Sequence, residues 1–163
     1  GDTHMTPHRL IAAACCIAAG TAALSGEIAT AGMGKGMSNT TPHAVAEGHM
    51  LVQMHTDYEG FTFEAEGHPM AGMSGPCFGA IEIRAGAVSG GGKCLYTDAE
   101  GERVTMDWMA EGMDAAGAMT GSWAVSGGTG KWMAASGAGT FSSLTDPETG
   151  ASANTVTGTL MMP

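Results

Sequence analysis

The sequence predicts an all-β protein, an antiparallel sandwich or barrel of about eight short strands, and three observations carry that expectation. Gly supplies 27 of the 163 residues and is scattered every few positions. Each Gly inside a helix costs about 1 kcal/mol relative to Ala, so helices are poorly supported. Apolar and polar residues alternate over many short segments, the period of a half-buried strand. Clusters of Gly, Asp and Pro between those segments supply turns.

Residues 1–4 precede a Met and read as a tag or spurious extension. Residues 5–31 have the layout of a secretory signal peptide: His8 and Arg9, then an apolar run from Leu10 to Leu24, then Ala29-Thr30-Ala31 as a small-residue cleavage site. The run is short for a transmembrane helix, which needs roughly 20 apolar residues. The expectation is a periplasmic or secreted protein, cleaved after Ala31, with no membrane attachment afterwards. Residues 32–46 (GMGKGMSNTTPHAVA) read as a flexible leader, and residues 47–163 as a single β-domain.

The strands follow in order. Met50, Val52, Met54 and Tyr58 fall on one face of His49–Glu59, with Gln53, His55, Asp57 and Glu59 on the other. Gly60 reads as a turn, after which Phe61, Phe63 and Ala65 alternate with polar residues. A loop rich in Met, Gly and Pro spans Gly67–Pro76. Alternation resumes over Cys77–Val88, and Lys93–Thr97 is a short strand. Asp98-Ala99-Glu100-Gly101-Glu102 is a hairpin turn leading to a strand from Arg103 to Ala110. Further strands cover Ala118–Ser126, Gly139–Thr145 and Thr155–Met162.

The net charge of −10, with only 6 Lys and Arg, repels phosphate backbones, and no basic cluster is present. The sequence therefore argues against a nucleic-acid partner. Cys77 and Cys94 are the pair left after signal removal. In an exported chain such a pair predicts a disulfide, worth about 3 kcal/mol by loop closure. A tight hairpin at Ala85-Gly86 places the two directly opposite. By composition, Gly90-Gly91-Gly92 is the better turn. The exported address outweighs this, so the expectation is the bond, with the glycine run acting as a bulge or wide loop.

The segment SWAVSGGTGKWMAASGAGTF, residues 122–141, has the look of a phosphate loop. It lacks both anchors of that motif, because Trp132 follows Gly130-Lys131 and Val125 stands where the first Gly belongs. The dinucleotide fingerprint fails as well. The segment therefore reads as a turn, with Trp132 folding back onto the core.

GGTGKWMAASGAGTF followed by TVTGTLMMP resembles the closing strands of the allene oxide cyclase and dirigent barrels, a superfamily with secreted bacterial members. The resemblance covers Gly121–Met162. It implies an eight-stranded antiparallel barrel with an apolar cavity. In that superfamily, acidic residues serve the cavity. Glu64, Glu82, Asp107 and Glu111 are the carboxylates available here, and all four read as solvent-face residues.

Phe61, Phe63, Trp108, Trp123 and Trp132 are the candidates for lining a cavity, against the plainer role of filling a core. Ala and Gly at strand positions favour some free interior volume. With 14 Met and 6 His, copper is a second candidate ligand, since thioethers and imidazoles suit it. His68, Met70 and Met73 form the best cluster because they sit in a loop where packing does not demand Met. No other cofactor is expected. The leading expectation is a binding or structural module for a small apolar ligand. The alternatives are a cyclase or isomerase working in the cavity and a periplasmic copper binder.

Overall fold

The computed structural model describes residues 26–163, so the apolar segment Leu10–Leu24 lies outside the described residues. Eight strands form one closed antiparallel barrel in sequence order. They are β1 (Glu27–Ala46), β2 (His49–Phe63), β3 (Gly75–Arg84), β4 (Ala87–Thr97), β5 (Arg103–Met113), β6 (Met119–Gly128), β7 (Ser136–Thr145) and β8 (Ala151–Met161). A 3-10 turn, η1 (Gly130–Ala134), joins β6 to β7. β1 closes the barrel by pairing with β8, from Glu27↔Met161 to Met37↔Ala151. Closure leaves no sheet edge along the paired stretch.

The strand count matches expectation for a different reason. Residues 32–46 are not a leader: they are the greater part of β1, paired with β2 from Gly32↔Phe63 to Ala46↔His49. Their alternation is silent because the inward positions include Gly34 and Gly36, both buried but without side chains. The space over Gly34 is occupied by the Phe61 ring. The expected turn at Gly60 is also absent. β2 runs straight through it, and Lys35↔Gly60 followed by Gly36↔Tyr58 leaves Glu59 as a bulge. That extra residue moves the inward face from Tyr58 to Phe61. One missed strand and one strand read as two thus cancel.

The expected cleavage point after Ala31 falls inside β1. Ala29, Thr30 and Ala31 pair with Thr159, Gly158 and Thr157, and Thr30 is buried.

β3 and β4 form a hairpin whose two-residue turn is Ala85-Gly86, with φ of 50° and 83°. Two positive φ values in succession are what a type I′ turn requires. Gly90, Gly91 and Gly92 are neither turn nor loop but lie within β4, opposite Ile81, Ala80 and Gly79. This register sets Cys77 directly opposite Cys94, with Cα atoms 4.0 Å apart and the sulfurs at bonding distance.

The up-and-down order puts four hairpin turns at one end of the barrel. At the other end lie the long β2–β3 loop, the β4–β5 turn and η1. This second end is closed by side chains: Met73 and Trp132 are fully buried, with Thr30, His68 and Asp98 around them. The glycine segment between β6 and β7 is thus a structural turn, with Trp132 folded under the barrel.

Candidate functional site

Large rings fill the middle of the barrel, and glycines one or two strands away make room for them. A Cβ at Gly79 would lie 2.7 Å from Trp108 Cζ2, one at Gly121 would lie 2.8 Å from Phe141 Cε1, and one at Gly158 would lie 2.9 Å from Trp123 Cζ2. None of these is a tolerable carbon–carbon contact. The interior volume that the glycines leave is therefore largely taken by aromatic rings. Tyr58, Phe61 and Tyr96 pack as a cluster with ring centroids 5.2 to 6.0 Å apart, and Trp108 meets Phe141 edge-on at 6.4 Å.

Above this layer a cavity of about 70 Å³ remains. Its apolar lining includes Phe61, Met106, Trp108, Trp123, Phe141 and Val156. Ser38, Thr56, Ser143, Thr145 and Asn154 add polar groups on strands β1, β2, β7 and β8. Ser38 and Met119 lie towards the hairpin end of their strands, and Thr145 ends β7 beside the β7–β8 turn. The closed end forms the floor, to which the β2–β3 loop contributes Met70. A void of this size has room for about two waters or a fragment of a few heavy atoms, being about half the ~150 Å³ that admits benzene.

The cavity's polar groups are mostly paired. Ser38 Oγ and Thr56 Oγ1 share a hydrogen bond of 2.8 Å, and Thr145 Oγ1 donates to Ser152 Oγ at 3.2 Å. Burial pushes the Tyr58 hydroxyl above the usual tyrosine range, partly offset by hydrogen bonds from Ser143, Ser152 and Asn154. Tyr96 is pushed well up, first by burial and then by Tyr58. Its hydroxyl lies 2.8 Å from Cys77 Sγ. Both tyrosines are therefore neutral at ordinary pH, and both cysteines belong to the cavity wall.

Of the five aromatic candidates, Phe61, Trp108 and Trp123 line the cavity. Phe63 instead stacks on His68 with ring centroids 3.9 Å apart. Trp132 lies in the closed end, where its indole N–H donates to Asp98 Oδ2 at 2.9 Å. Phe141, which the sequence also offers among the aromatics for core or cavity, lines it as well. Sequence reasoning missed Tyr58, Tyr96 and Asn154. Tyr58 was legible as an inward position, but nothing in the sequence marks it as sharing one void with the others.

His68, Met70 and Met73 come together, all nearly or fully buried. The imidazole is engaged on both sides. Nε2 lies 3.1 Å from Thr30 Oγ1, and Nδ1 accepts from the Met70 N–H at 3.2 Å. Burial lowers its pKa, which suits a neutral ring. Met73 is sealed in the closed end, and Met70 faces the cavity floor. The loop uses its Met residues for packing after all, because it folds under the barrel instead of over the surface. Among the described residues no three His, Cys, Asp or Glu side chains gather as a metal site.

The four carboxylate candidates lie away from the cavity interior. Glu64 and Glu111 are exposed. Glu82 is 2.7 Å from Arg84 and 2.6 Å from His49. Asp107 borders the cavity, but its carboxylate pairs with Lys93.

No family model matches the chain, and no curated protein matches it either.

Proposed function

We propose that the protein is an exported binding module that holds one small, mostly apolar molecule in the barrel cavity. The supporting observation is a void of about 70 Å³ walled by aromatic, thioether and aliphatic side chains, in a barrel whose opposite end is plugged. Pockets for small ligands have this mixture of apolar walls and a few placed polar groups. The disulfide between β3 and β4 stiffens the wall, so little ordering cost falls on binding. The fold belongs with this reading as a relative of the allene oxide cyclase and dirigent barrels, and the export address rests on the residue 5–31 pattern.

Native mass spectrometry of protein purified from its own cells tests the reading. The expected spectrum shows one small organic adduct that leaves on collisional heating. A bare chain in every charge state, from preparations that never met denaturant, would count against it.

A further inference from the structure

β1 takes part in the barrel from its first residue. Glu27–Ala31 pair with Met161–Thr157 of β8, whose other side is held by Ser136–Thr140 of β7. Ile28 stands opposite the fully buried Leu160 and packs against the core. Thr30 is 2% exposed, and its hydroxyl lies 3.1 Å from Nε2 of the buried His68. The Ala31 carbonyl accepts from the Glu64 N–H at 2.9 Å. Gly26, by contrast, is exposed, lies outside the strand and has open space where a Cβ would stand. The fold takes hold of the chain at Glu27.

A cut after Ala31 removes all of these contacts. Thr157–Met161 lose their ladder partner on one side, which turns that stretch of the closed barrel into a sheet edge. His68 Nε2 loses its partner in the closed end, and an unpaired buried polar atom destabilises the product. A signal peptide is discarded, so the folded protein does not depend on its residues. Glu27–Ala31 therefore have the character of mature chain.

The sequence offers another bond. Cleavage follows a small residue that has a second small residue two positions before it. Ala23-Leu24-Ser25 meets that rule, with the cut between Ser25 and Gly26. The bonds on either side fail it, because each places Leu24 at one of the two small positions. Among the bonds before Glu27 that meet the rule, this one leaves none of the apolar run Leu10–Leu24 on the product. Leu10–Ala19 then forms an apolar core within the roughly 7–15 residues such signals use, and Gly20–Ser25 forms the cleavage region.

We infer that the export signal is removed between Ser25 and Gly26, so that Glu27–Ala31 stay in the mature protein and close the barrel. This rests on the export reading above and moves its processing site.

The test expresses the full chain in a Gram-negative host and reads the mass and N-terminal sequence of the protein recovered from outside the cytoplasm. The expected product begins at Gly26. A product beginning at Gly32, six residues shorter, or at any other residue overturns the inference and leaves export standing. A chain kept uncut in the cytoplasm removes both. Ser25→Leu is expected to lose the Gly26 form and accumulate precursor, while Ala31→Leu is expected to be processed as the parent is. Both variants are read by mass from whole cells, so the comparison serves even where one fails to fold. Loss of processing in Ala31→Leu, with Ser25→Leu processed normally, overturns the inference.

Discussion

The Trp132 indole N–H donates to Asp98 Oδ2 across 34 positions of sequence, tying η1 to the β4–β5 turn. The same carboxylate accepts from the Glu100 and Glu102 N–H groups through Oδ1, and Lys131 Nζ lies 2.8 Å from Oδ2. Lys131 also reaches Glu100 Oε2 at 2.8 Å. The acidic run at 98–102 thus surrounds a cation that the chain itself supplies. Burial pushes the Asp98 carboxyl up, and the hydrogen bonds from Lys131, Trp132 and Glu102 N–H outweigh it, holding Asp98 at about 2 instead of the ordinary 3.8. A depressed carboxylate pKa stabilises the fold above the unfolded value and stops doing so once the folded group is protonated. Stability should therefore fall by on the order of 2 kcal/mol as pH drops from about 4 to about 2. Asp98→Ala should cost about 3 kcal/mol or more at pH 7, because it leaves a buried indole N–H and the Glu100 and Glu102 N–H groups without their acceptor. Urea denaturation of both proteins across this pH range checks both numbers. An Asp98→Ala variant that keeps the acid-labile step would assign that step to another group.

Ala85 holds φ at 50°, the only non-Gly residue with positive φ among those described. The left-handed conformation costs a residue with a Cβ about 1 kcal/mol or more, and Asn tolerates it better. Ala85→Asn creates the Asn-Gly pair that type I′ turns favour. It should raise stability by about 0.5–1 kcal/mol, read as a shift in denaturation midpoint with an unchanged slope.

The Cys77–Cys94 bond joins facing strands of the cavity wall. Thiol titration of the denatured, unreduced protein should find neither Cys77 nor Cys94 free. Cys77→Ala with Cys94→Ala should lower stability by about 3 kcal/mol. It should also loosen the Tyr96 hydroxyl, whose contact with Cys77 is lost. A double variant as stable as the parent would show that the hairpin register alone holds the wall.

Glu27–Ala31 contribute five residues of the ladder between β1 and β8, and Thr30 carries the buried bond to His68. A chain beginning at Gly32 should be less stable than one beginning at Gly26 by at least about 2 kcal/mol, measured by thermal unfolding. Equal stabilities would mean that β8 and the β2–β3 loop hold without the start of β1.

Several features were legible from residue order alone. Strand alternation is a local property, so Val104, Met106 and Trp108 on one face of β5 follow from spacing. So does the failure of the phosphate-loop pattern at Gly130-Lys131. The disulfide was legible from Cys parity, and its register from a symmetric hairpin at Ala85-Gly86. What misled was glycine. At Gly34 and Gly36 it hid a strand, because an inward position without a side chain gives no hydrophobic signal. At Gly90–Gly92 it imitated a turn, when those residues lie in a strand whose partner Gly79 leaves room for the Trp108 ring. Only the closed barrel decides which rings meet which glycines, and that the β2–β3 loop folds under the barrel and spends both nitrogens of His68. These are contacts between residues far apart in the chain, set by strand register around the whole barrel, and no local pattern records them.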